Sequence, residues 1–123
     1  MAGIVFLKTS DRRRVVAFYQ DALGMNPWLE QPDISILRHG NLLVGFVQAD
    51  NYQHQDDGSL ITVFMDDRAD VDRLYGVLTE RAEAPPQDNL RYQIYNFYAR
   101  DPEGRRFEVQ TFLHDLPSWD EPT

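Results

Sequence analysis

Residues Asp101–Gln110 read DPEGRRFEVQ, a tight turn that feeds a strand. Asp-Pro-Glu-Gly is turn chemistry, because Pro102 presets φ and Gly104 accepts a positive φ. From Arg106 to Gln110 polar and apolar residues alternate, the period of a half-buried strand. Alternation sets the Glu108 carboxylate on one sheet face and Phe107 and Val109 on the other. A carboxylate in mid-strand is either a solvated surface group or part of a site, and the rest of the chain must decide which.

Outward from this stretch the chain shows the same grammar twice. GIVFLKT (Gly3–Thr9) is a strand, and Ser10 or Asp11 caps the helix after it. Val15, Phe18, Tyr19, Ala22 and Leu23 recur at helical spacing, and Gly24 fits the stop. Strands follow at Pro27–Gln31, Ile34–His39 and Leu42–Ala49, the last two a hairpin about Gly40-Asn41. The second half opens with the strand SLITVFMDD. A helix capped by Asp67 then runs to about Arg81, with Val71, Leu74, Tyr75 and Leu78 as its stripe. AEAPPQDN is a loop, YQIYNFYAR a strand, and the Asp101–Gly104 turn leads to the final strand ending at Phe112.

One constant offset aligns Ile4 with Leu60, Asp11 with Asp67, Val15 with Val71 and Tyr19 with Tyr75. The chain is therefore a twofold internal repeat of a βαβββ unit. The expected organisation is a first module over residues 1–50, a polar linker over 51–58, a second module over 59–113 and a polar tail over 114–123 holding Trp119, within one domain. The expected class is α+β.

Composition narrows the partners. The chain has 123 residues, 42% of them apolar, enough to build a core. No apolar run approaches the roughly 20 residues of a membrane helix. The first charges follow the first apolar run, the wrong order for a signal peptide. Cysteine is absent, so neither a disulfide frame nor a thiolate metal site is available. These features make the cytoplasm the expected compartment. With 20 acids against 12 bases the net charge is −8, which argues against nucleic acid and anionic membranes as partners. Lys8 is the one lysine.

FYQDALGM (Phe18–Met25) and DPEGRRFE (Asp101–Glu108), at this spacing and within a repeat, resemble the vicinal oxygen chelate superfamily. That group includes glyoxalase I, extradiol dioxygenases, fosfomycin-resistance enzymes and bleomycin-binding proteins. The resemblance spans about Gly3 to Phe112. It implies two βαβββ modules forming a half-open, curved mixed sheet around a cavity, and commonly a homodimer.

Metal-dependent members of the superfamily take ligands from four positions. The resemblance carries these onto Ile4, Leu60, a residue near Gly45, and Glu108. An isoleucine, a leucine and a glycine offer a divalent cation no side-chain lone pair. Neighbouring registers supply none either, since Met1–Lys8, Leu42–Val47 and Ser59–Met65 hold no His, Asp or Glu. His39, His54 and His114 fall at a hairpin end, in the linker and in the tail, as solvated side chains; His54 and Asp56 form at most a weak pair. No metal and no cofactor is expected.

Alternation nonetheless gives Glu108 company on its face: Ile4, Phe6, Lys8, Ile34, Ile36, Arg38, Leu43, Gly45, Val47, Leu60, Thr62, Phe64, Tyr95, Phe97 and Gln110. This set, mostly apolar with a few polar groups, has the composition of a small-molecule pocket. A bland alternative pairs Glu108 with Lys8 or Arg38 inside a filled core. The reading favoured is a metal-free homodimer that sequesters a small organic ligand, a cationic one suiting the single acid. The alternative is a metal-independent lyase or isomerase with Glu108 as general base. Binding ranks first because base catalysis also needs an enolate stabiliser. Only Lys8 or Arg38 would supply that, and either would pair with the acid.

Overall fold

The computed structural model describes residues 1–118, so Trp119 lies outside the described residues. Two compact units are present. The first is Met1–Ser59 with Arg100–Arg106, and the second is Leu60–Ala99 with the chain from Phe107 onward. Each unit carries one four-stranded mixed sheet and one helix, the α+β plan read from the repeat. Among the described residues no helix is long and apolar enough to cross a membrane.

In the first unit β1 (Val5–Thr9) leads into α1 (Arg12–Leu23), then β2 (Asn26–Gln31), β3 (Ile34–His39) and β4 (Leu42–Gln48). The sheet order is β1-β4-β3-β2, with β1 parallel to β4 and the other pairs antiparallel. Asp11 caps α1 by accepting from the Arg14 N–H at 3.3 Å. Gly24 ends the helix at φ 67°, in the left-handed region a glycine enters without strain. Val15, Tyr19 and Leu23 fall on one face of α1 and are fully or nearly buried. The Tyr19 ring packs 5.0 Å from that of Phe46 on β4. This fixes the helix-side face of the sheet as that of Val44, Phe46 and Leu37, all buried.

In the second unit β5 (Ile61–Phe64) leads into α2 (Arg68–Leu78), then β6 (Gln87–Asn89), β7 (Ile94–Arg100) and β8 (Arg106–Phe112), ordered β5-β8-β7-β6. Asp67 caps α2 through the Asp70 N–H at 2.9 Å, the repeat mate of the Asp11 cap. Several boundaries differ from the sequence reading: β1 starts at Val5, β5 is confined to Ile61–Phe64 and β7 starts at Ile94. The helix stops at Leu78 instead of Arg81, because Arg81 and Ala82 both direct their N–H groups back to the Leu78 carbonyl in a closing turn. AEAPPQDN is not all loop. Its last residues form β6, a three-residue edge strand paired with Ile94–Asn96. Such a polar, proline-flanked segment has no strand propensity of its own and is recruited by its hairpin partner.

The opening turn is structural, and it belongs to the first unit. Asp101 is buried, and its Oδ1 accepts the N–H groups of Glu103 (2.8 Å) and Arg105 (3.0 Å), which shapes the turn. Its Oδ2 accepts the Tyr19 hydroxyl and the Arg105 guanidinium, each at 2.8 Å. Arg105 donates onward to the Lys8 carbonyl at 2.8 Å, at the end of β1. Glu103 takes the Thr9 hydroxyl on one oxygen and the Ser10 N–H on the other. Burial, followed by the Asp101 charge beside it, pushes the Tyr19 hydroxyl well above the ordinary tyrosine range, so it remains a donor.

Removing one member of this group takes a hydrogen-bond partner from its buried neighbours. Asp101→Asn is expected to lower unfolding stability by about 3–5 kcal/mol. Tyr19→Phe deletes one charge-assisted bond and should cost about 1.5–3 kcal/mol. Urea denaturation of the two variants measures both. Equal, small losses would show that the ion pair does not hold the turn.

Candidate functional site

Strand register determines which side chains share a face. In the first unit Phe6, Gly45 and Ile36 form one rung across β1, β4 and β3. In the second, Thr62 of β5 sits opposite Glu108 of β8, with Asn96 on the neighbouring β7. The repeat makes these the same rung, since Phe6 and Thr62 each lie two residues after the matched pair Ile4 and Leu60. Their chemistry is opposite: apolar around a glycine in one unit, polar around a carboxylate in the other.

Glu108 is buried at 6% exposure, so it is no solvated surface acid. One carboxylate oxygen accepts from the Thr62 hydroxyl and the other from the Asn96 amide, both at 2.7 Å. These two neutral side chains, within its own unit, replace the cation that the bland sequence reading offered it. Lys8 is exposed, and its carbonyl is held by Arg105. Arg38 is also exposed and turns its Nε back to the Gly40 carbonyl at 2.8 Å, closing its own hairpin.

Four other sequence-derived residues divide evenly. Gln110 pairs with Phe64 one rung beyond Glu108 and is buried, while Phe64 is 38% exposed with its ring edge-on to Phe112 at 5.3 Å. Both share the Glu108 face. Tyr95 and Phe97 do not. The Phe97 ring meets Tyr75 of α2 at 5.5 Å, and the Tyr95 hydroxyl donates to Asp72 of α2 at 2.6 Å beneath the Arg68 guanidinium. Both therefore face the helix. The sequence reading placed β7 one residue out of register, and with a period of two a one-residue slip exchanges the faces completely. Asn96 takes the place assigned to its neighbours. Its signal was available: a lone amide in the apolar run IYNFYA demands a buried hydrogen-bond partner.

The four positions of the superfamily's metal do not suit a metal here. A Cβ built on Gly45 would lie 2.5 Å from Cδ1 and Cε1 of Phe6, so an aromatic ring edge fills the space a ligating side chain needs. Ile4 and Leu60 supply hydrocarbon only, and both Glu108 oxygens accept protein hydrogen bonds. Among the described residues, no group of three or more His, Asp or Glu side chains is arranged to hold a cation. His54 departs from the solvated reading, being largely buried between Tyr52 (3.2 Å) and Asp56 (3.4 Å).

Two cavities lie within single units. A groove of about 500 Å³ in the first unit runs beside the start of α1, lined by Ser10, Arg12, Gln20 and Ser35 among others. A hollow of about 150 Å³ in the second unit is bordered by Pro85, Asn96 and Phe97. The hollow is smaller than a drug-sized ligand requires. Asn96 links it to Glu108.

Solved structures share this fold. A glyoxalase/bleomycin resistance protein/dioxygenase family enzyme from Burkholderia phytofirmans PsJN superposes with TM-score 0.79 at 22% identity, covering 89% of this chain and 97% of that one. A lactoylglutathione lyase from Agrobacterium tumefaciens gives TM-score 0.70 at 20% identity, covering 90% and 92%. A glyoxalase/bleomycin resistance protein/dioxygenase from Nocardioides gives 0.72 at 16%, covering 99% and 89%. No curated protein matches the chain. The family model matches residues 3–109. With its paired βαβββ units and its DPEG turn, the chain belongs to the Glyoxalase/Bleomycin resistance protein/Dioxygenase superfamily.

Proposed function

We propose that this protein is a metal-free, homodimeric small-molecule-binding member of its superfamily, one that sequesters an organic ligand. In this reading Glu108 receives a cationic or hydrogen-bond-donating group of the ligand. The observation that carries the reading is the setting of Glu108. It is buried and gripped by two neutral donors. Two neutral donors leave a lone pair on each oxygen of this buried acid open to a further donor. Beside it on the sheet, Leu60 and Phe64 are 42% and 38% exposed, apolar surface that a ligand of mixed character would cover.

Glu108→Gln tests the role directly. The amide accepts from Asn96 through its oxygen and donates to the Thr62 hydroxyl, so the rung remains satisfied. Unfolding stability should change by less than about 1 kcal/mol. In a thermal-shift screen of organic ammonium compounds, those that raise the melting temperature of the parent should lose about 1–3 kcal/mol of affinity for the variant. A variant that melts much lower while binding unchanged would make Glu108 purely structural.

Two further expectations belong to the same reading. Elemental analysis of purified protein should find no stoichiometric zinc, nickel, manganese or iron. One tightly held ion per chain would overturn the metal-free assignment. Sedimentation at micromolar concentration, in low and high salt, should give twice the chain mass of 14.3 kDa. A single species at the monomer mass in both salts would remove the dimer.

A further inference from the structure

The charge of this protein is unevenly placed. The chain carries 20 acids against 12 bases, yet strands β1, β3 and β4 contain no Asp or Glu. On β2, Glu30 pairs with Ser35 and lies on the helix side, where it accepts the Ser35 hydroxyl at 3.1 Å and stands 3.9 Å from Arg12 of α1. Pairing fixes what occupies the other face. The Phe6–Gly45–Ile36 rung lies between the rung holding Lys8 and the rung holding Arg38. That face is therefore acid-free, in a chain of net charge −8, and it carries the only lysine.

Its centre is an aromatic ring laid across a glycine. Phe6 is 52% exposed although a whole sheet is available to cover it. The absence of a Cβ at Gly45 is what lets the edge of the ring settle against the backbone of β4. Glycine within a strand weakens the strand and marks a place where something approaches the backbone closely. Here the approaching group is the Phe6 ring, half of which remains open. Lys8 and Arg38 flank it on opposite sides, Lys8 about 6.6 Å along the same strand.

We infer that Phe6, seated on Gly45, is a stacking platform for a planar aromatic small molecule bearing a negative group, with Lys8 and Arg38 setting the sign of the charge. The platform goes beyond the Glu108 reading and stands independently of it. Ring stacking supplies shape selectivity, and two cations on an acid-free face supply charge complementarity.

Naphthalene-2-sulfonate is the probe, with 2-naphthol and 2-naphthylmethylammonium as neutral and cationic controls. In amide-detected NMR titrations the sulfonate should shift the Gly45 resonance and bind more tightly than 2-naphthol. Phe6→Leu should weaken it roughly tenfold, whereas Phe6→Trp should retain it. Lys8→Gln should lower sulfonate affinity and flatten its salt dependence without affecting 2-naphthol. Gly45→Ala, which displaces the ring, should abolish the shift while the protein still unfolds cooperatively. Equal sulfonate affinity for the parent and Phe6→Leu overturns the platform. So does a Gly45 resonance that moves with protein concentration and not with probe, since a second copy would then cover this face. Binding of the ammonium compound alone, lost in Glu108→Gln, overturns the platform and leaves the Glu108 reading standing. Sulfonate binding that Glu108→Gln does not alter supports the platform whatever becomes of that reading.

Discussion

The buried carboxylate of Asp101 is the constraint on which the first unit depends. One oxygen shapes the turn through two backbone N–H groups, and the other receives Tyr19 from α1 and Arg105 from the turn itself. Without it Tyr19 of α1 loses its bond to a residue 82 positions away, and Arg105 is left charged in a buried place. The carboxylate and the guanidinium are almost fully shielded from water, with side-chain exposures of 0% and 8%. Their attraction is therefore little screened, and the desolvation cost is offset by four donors converging on one acid. The DPEG turn is in this chain a clamp on the first unit.

Much of this was legible in the residues. Asp11 and Asp67 were readable as caps because a short acceptor before an amphipathic stripe has few other uses. The repeat was readable because the two caps, the two buried valines and the two helix tyrosines keep one offset. The inward face of the first unit, with Phe6, Lys8, Ile36, Arg38 and Gly45, agrees with the pairing. The failures share a cause. β6 has no intrinsic strand character, and in YQIYNFYAR aromatics occupy both parities, so the amide of Asn96, and not the rings, carried the signal of which parity faces the helix. Tyr95 and Phe97 were chosen for their rings, whereas the unit uses them as helix cover and gives Glu108 an asparagine. Of the two partners of Glu108, Thr62 lies on the face that alternation assigns to the acid, and Asn96 was hidden by the slip in β7.

Comparing the two central rungs shows how a duplicated frame acquires different surfaces without altering its backbone. Phe6–Gly45 and Thr62–Glu108 occupy equivalent places on equivalent strand pairs, with Ile36 opposite Gly45 in the first unit and Asn96 of β7 reaching Glu108 in the second. In the first, a small residue at the centre admits a large neighbour from the edge strand. In the second, an acid at the centre requires small polar neighbours that can donate to it. Within each rung the three residues form a matched set, so a change at the centre alone leaves either a steric overlap or an unpartnered donor.

The assignment of Arg100–Arg106 to the first unit has a consequence for how this chain can be divided. The repeat suggests two halves separable at the polar linker, as though each were a freestanding copy of an ancestral piece. The bonding does not respect that seam. A fragment ending at the linker would contain Tyr19, Lys8 and Thr9 but lack Asp101, Arg105 and Glu103, the groups that receive or engage them. The leading half of the gene product thus waits on its last quarter for completion. During synthesis, the first unit cannot be finished until Arg100–Arg106 have been made as well.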